Sequence, residues 1–103
     1  MKPSEGALAE YIRVHKSRII KTPPNITTAE AAGLTLVGLT AYQALIRIAD
    51  LNEGQSVFIN GGSTSVGRIA IQIAKAKGCR VTASCSTSKV EEIRQLGADE
   101  VNE

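Results

Sequence analysis

The sequence predicts an α/β fold built on a doubly wound parallel sheet. Three observations carry the prediction. A short apolar run, Gln55–Asn60, leads through a glycine-rich stretch into an amphipathic segment, Ser65–Lys77. A second apolar run, Arg80–Ser84, repeats the alternation and is followed by a further helical segment. Aromatic residues make up only 3% of the chain, which leaves a core of Ile, Leu, Val and Ala, the composition of parallel sheets covered by helices. Strands alternating with helices at this spacing are βαβ units, and right-handed crossovers then set the strands parallel in one sheet.

Ala7–His15 follows Gly6 and carries the strand formers Tyr11, Ile12 and Val14, so it reads as a strand. Pro23-Pro24-Asn25 punctuates the chain, and Thr27 or Thr28 then caps a helix with Glu30 in its first turn. The small apolar stretch Ala29–Ala49 is interrupted by Gly33 and Gly38. It predicts a short helix, a break, and a longer helix from about Val37 to Ala49. After the turn Asn52-Glu53-Gly54, the run QSVFIN is a buried strand. Val66, Ile69, Ala70, Ile73 and Ala74 fall at helical spacing with Arg68, Gln72 and Lys75 opposite, and Gly78 stops that helix. Ser88 is positioned to cap a third helix, Lys89–Leu96, with Glu91 and Glu92 near its positive end. Gly97-Ala98-Asp99 then turns into a third strand.

Composition narrows the function classes. A formal charge of +2 spread over scattered basic residues is not a nucleic-acid footprint, which needs clustered Lys and Arg. No apolar run reaches the ~18 residues of a membrane span, and MKPSEGALAE has no secretory h-region. Neither a nucleic-acid nor a membrane partner is expected. Cys79 and Cys85 lie six residues apart along an expected strand, roughly 20 Å at ~3.3 Å per residue, too far for a disulfide. Two unpaired thiols fit a reducing, cytoplasmic compartment.

Gly62-Ser63-Thr64-Ser65-Val66-Gly67 has the length of the glycine fingerprint G-x-G-x-x-G, with Thr64 at the middle glycine. It leaves a strand and opens a helix, the context in which the pattern is informative. A helix N-terminus offers unpaired N–H donors and a positive dipole end to a pyrophosphate. Gly62 permits the tight turn and Gly67 the close approach of helix to strand. Thr64 either displaces the loop outwards or offers its hydroxyl to a phosphate. The bland alternative is a strand-to-helix turn that binds nothing.

A dinucleotide with a free ribose 2′-hydroxyl meets an Asp or Glu about 20 residues on. Here the stretch reads Ser84-Cys85-Ser86-Thr87-Ser88-Lys89, with no acid before Glu91. Hydroxyls with a lysine accept a 2′-phosphate better, which favours NADP(H). Against this, Ser88 is merely a cap and Lys89 a solvated charge.

At these residues the chain resembles the medium-chain dehydrogenase/reductase superfamily, in its zinc-free quinone-oxidoreductase-like branch. The matching stretches are GALAEYIRV, AAGLTLVGLTAYQAL, SVFINGGSTSVGRIAIQIAK and LGADEV, which together run from Gly6 to Val101. The resemblance implies residues 1–24 as the tail of a GroES-like catalytic domain and residues 25–103 as part of an NADP(H)-binding Rossmann domain. It implies hydride transfer from NADPH to a quinone or an activated alkene or carbonyl. It places Thr40 beside the nicotinamide, Gly62, Ser63, Thr64, Ser65, Val66 and Gly67 under the pyrophosphate, and Ser86 and Lys89 near the 2′-phosphate. Zinc-dependent members carry a metal-ligand Cys four positions before that Thr. Leu36 stands there, and a Leu side chain cannot ligate zinc. Thr35 replaces a proline common in the family's helix. Whole members of the family are considerably longer and include mitochondrial proteins, so this stretch alone is expected to be inactive.

His15 has no Cys, Asp or second His nearby and reads as a surface histidine, Tyr42 as a packing residue, and Cys85 as an inert thiol. Catalytic residues are not assigned. The competing function is a nucleotide-binding module without catalysis of its own. The strand Gln55–Asn60 lacks the Lys, Pro or bulge that protects a free sheet edge, so self-association through it, most simply a homodimer, is expected.

Overall fold

The computed structural model describes residues 6–103; the chain divides between Ala31 and Ala32 into two compact units. Residues 1–5, which open the expected 1–24 domain, lie outside the described residues. In the first unit, residues 6–15 are irregular and Lys16–Arg18 form a single 3-10 turn under a His15 cap. The strand expected over Ala7–His15 is not formed. Strand formers become a strand only by pairing in a ladder, and this stretch joins no sheet among the described residues; Leu8 and Tyr11 are almost fully exposed.

Helix α1 spans Thr28–Tyr42. Thr27 and Glu30 open it with a capping box: the Thr27 hydroxyl accepts the Glu30 amide (3.2 Å) and the Glu30 carboxylate accepts the Thr27 amide (2.8 Å). The break expected at Gly33 and Gly38 does not occur. Glycine costs a helix only about 1 kcal/mol relative to alanine, too little to stop one that is well capped. The helix instead continues as a π-helical turn, Gln43–Ile48, closed by the Ala49 amide donating to the Ala44 carbonyl (2.9 Å). Asp50 then takes a left-handed conformation (φ 49°).

Because it is unbroken, Thr28–Ile48 is 21 residues long, long and apolar enough by length and composition to cross a membrane. This corrects the reading that no such segment exists. Its apolar side chains lie all round: Ala41 and Leu45 join the core, while Leu34, Leu36, Leu39, Tyr42 and Ile48 are exposed.

The sheet has three parallel strands in the order β1 (Ser56–Ile59), β2 (Arg80–Ser84), β3 (Glu100–Asn102). Val57 sits opposite Val81, Ile59 opposite Ala83, and Ala83 opposite Val101, so these side chains share one face. Helix α2 (Ser65–Ala76) covers that face with Ala70, Ile71 and Ala74, and α3 (Val90–Gln95) adds Ile93. Ile71, Val81 and Ile93 are wholly buried at its centre. Ser88 does not cap a helix; it lies inside the 3-10 turn Thr87–Lys89 that leads into α3. The opposite face carries Phe58 (59% exposed), Thr82 and the Arg80–Glu100 ion pair.

Candidate functional site at the carboxyl ends of the strands

β1 and β2 run parallel, so both deliver their carboxyl ends to the same edge of the sheet, where open α/β sheets place their ligands. Ser84, the last residue of β2, ties the two ends together. Its hydroxyl donates to the Asn60 side-chain oxygen (2.6 Å) and accepts the Gly61 amide (3.0 Å), while its carbonyl accepts the Gly62 amide (2.7 Å).

The loop is held by what it lacks. A Cβ on Gly67 would lie 2.2 Å from the Gly61 carbonyl oxygen, so the start of α2 is pressed directly onto the exit of β1. A Cβ on Gly62 would meet Ala83 Cβ at 3.0 Å and Ile71 Cδ1 at 3.2 Å. Thr64 is the N-cap, with its hydroxyl turned into the loop: it donates to the Gly61 carbonyl (2.8 Å) and accepts the Gly67 amide (3.1 Å). Ser65 and Val66 are the first two residues of α2, so their amides have no acceptor within the helix. A positive helix end with two such amides, a few residues past a glycine turn, suits a diphosphate.

Ser86 and Lys89 lie just beyond β2 in one turn, joined by the Lys89 amide donating to the Ser86 carbonyl (2.9 Å). Lys89 Nζ is 3.5 Å from a Glu92 carboxylate oxygen. Thr40 is not tied to this cluster; its hydroxyl donates back to the Leu36 carbonyl in its own helix (2.9 Å). Cys79 is buried with its thiol toward the Asn52 carbonyl (3.2 Å), Cys85 is half-buried, and both are free.

Sequence reasoning did not find Asn60, Arg68, Ser84 or Glu92. Arg68 donates Nε to the Ser63 carbonyl (3.0 Å) and pairs through Nη1 with Glu92. This hydrogen bond and charge hold the Glu92 carboxyl below the usual carboxylate range and raise the Arg68 guanidinium above its own. The Arg68–Glu92 pair joins positions 24 residues apart, and no local spacing announces it.

No family model matches the chain. It is 46% identical over 96 residues to the trans-enoyl reductase pgmF of Aspergillus terreus, an alignment covering 93% of this chain and 27% of that protein. An alcohol dehydrogenase superfamily protein of Novosphingobium aromaticivorans superposes with a TM-score of 0.74 at 42% identity, covering 79% of this chain and 24% of the other. A mycobacterial protein solved in complex with NADPH gives a TM-score of 0.74 at 32% identity, covering 81% and 26%. Other relatives are named quinone oxidoreductases and NAD(P)H oxidoreductases. The chain belongs to the medium-chain dehydrogenase/reductase superfamily, in its quinone-oxidoreductase-like branch. It spans about a quarter of the length of the reductase pgmF. The three-stranded parallel sheet is accordingly part of a Rossmann fold.

Proposed function

We propose that this chain is the NADP(H)-binding part of a reductase that passes a hydride to a quinone or to an activated alkene or carbonyl. The observation that carries it is the start of α2, packed onto the carboxyl end of β1 through Gly67, with Lys89 as the first charged residue beyond β2. The mycobacterial neighbour's complex with NADPH and the relatives' names support the same reading.

Bound NADPH supplies the hydride. The chain's own residues bind and orient: the Ser65 and Val66 amides take the pyrophosphate, and the glycine turn Gly62–Gly67 lets it approach the backbone. The Ser86 hydroxyl and Lys89 take the 2′-phosphate, and Thr40 lies beside the nicotinamide. Residues 1–24 belong to the catalytic domain and 25–103 to the cofactor domain. The helix Thr28–Ile48 is read as a packing helix of the reductase rather than a membrane span. With Leu36 at the zinc-ligand position the activity is metal-independent. The unpaired thiols favour the cytoplasm, while relatives named chloroplastic and mitochondrial point to an organelle as the alternative for a longer protein.

A second reading is a nucleotide-binding module without catalysis of its own, since the groups gathered at the carboxyl ends of β1 and β2 are backbone amides, hydroxyls and a lysine suited to binding. Incubating the purified chain with NADPH and a quinone separates the two. Binding without NADPH oxidation is expected of the cofactor-binding part alone, and restored turnover on adding the missing part of a relative supports the reductase. Binding with no turnover in either case supports the module. Absence of dinucleotide binding contradicts both.

A further inference from the structure

A chain of ion pairs links the glycine loop to the turn that carries Lys89. Arg68, in the first turn of α2, braces the Ser63 carbonyl with Nε and pairs with Glu92 of α3; the other Glu92 oxygen faces Lys89 Nζ. One carboxylate is therefore shared between two cations. The Arg68 contact is close, whereas Lys89 stands off at 3.5 Å, so Lys89 is the partner free to exchange onto an incoming phosphate. The three side chains are 32% (Arg68), 43% (Glu92) and 48% (Lys89) exposed, so partners rather than packing hold them.

We propose that Arg68 and Glu92 are positioning residues that set the strength of a 2′-phosphate subsite through Lys89. Glu92 orients Lys89 and drains its field, and Arg68 offsets Glu92, leaving one net positive charge in the triad. Neither Arg68 nor Glu92 needs to touch the nucleotide. The inference rests on the proposed cofactor choice and predicts substitutions of opposite sign. Glu92→Gln releases Lys89 and tightens binding of a 2′-phosphate. Arg68→Met leaves Glu92 undivided for Lys89 and weakens it.

The test titrates adenosine 2′,5′-bisphosphate and adenosine 5′-monophosphate calorimetrically into the full chain and its variants, with circular dichroism checking the fold. Each single variant is expected to shift bisphosphate affinity about three- to tenfold at low salt, the scale of one partly screened charge a few ångströms away. Monophosphate affinity should not move in Glu92→Gln, which leaves the brace of Arg68 on the Ser63 carbonyl in place. The double variant should return near the parent, and Arg68→Lys, which keeps the charge, should stay within about twofold of it. If Arg68→Met fails to fold, Glu92→Gln and Arg68→Lys carry the test. Bisphosphate affinity unmoved by Glu92→Gln, or both ligands shifting together, overturns the inference while leaving the cofactor choice standing. A parent that binds the two nucleotides equally overturns both.

Discussion

Gly67 shows how much one missing side chain can decide. With the Gly61 oxygen 2.2 Å from where a Cβ would sit, Gly67→Ala must push α2 off β1. We expect a loss of about 3 kcal/mol in thermal or denaturant unfolding, the upper range for overpacking, together with loss of nucleotide binding. A variant that melts with the parent would contradict the close-approach argument. Asp99 works through charge. It accepts the Val81 amide (2.7 Å) and Lys75 Nζ (3.0 and 3.1 Å), and these contacts, the amide first, hold its carboxyl below the usual range. A folded pKa below the unfolded one means the stabilisation is full above the unfolded value of about 3.9 and fades as pH falls through the folded one. Asp99→Asn should therefore melt lower than the parent at pH 7, and the gap should close below about pH 4. The glycine at position 67 was legible because its spacing is local. Asp99, Ser84 and the Arg68–Glu92 pair were not, because each acts on a partner brought close only by the fold.

Among the elements, β2 was read to the residue, and α2 and β1 to within one at each end, because an apolar run or an amphipathic repeat reports burial directly. The failures have a common origin in context. Residues 6–15 have strand composition without a partner strand, and the α1 glycines suggested a break that capping and continuity override. An added Cβ on Gly33 would meet nothing within 4 Å, and one on Gly38 only Leu34 Cβ at 4.0 Å. Gly33→Ala and Gly38→Ala should each stabilise the chain by about 0.5–1 kcal/mol. Destabilisation in a urea melt would mean that these glycines pack closely against something in solution.

For the molecule, the central facts are an open sheet and a short span. Among the described residues β1 ends the order β1-β2-β3 and pairs on one side only, and it carries no charge to repel a second strand. We expect the chain to associate at tens of micromolar, roughly where exposed edges do so, and Phe58→Lys to weaken that association in sedimentation velocity. A folded monomer for the parent would contradict the edge argument. The exposed apolar ring of Thr28–Ile48 has the same meaning, since a helix apolar on all sides is normally covered on all sides. The cofactor site is the feature on which the function of the chain depends. It is tested most directly by calorimetric titration of NADPH and NADH into the chain and into Lys89→Ala. Tighter binding of NADPH, with the difference narrowed by the substitution, is the predicted result; equal affinities in the parent, or no binding of either, would contradict it.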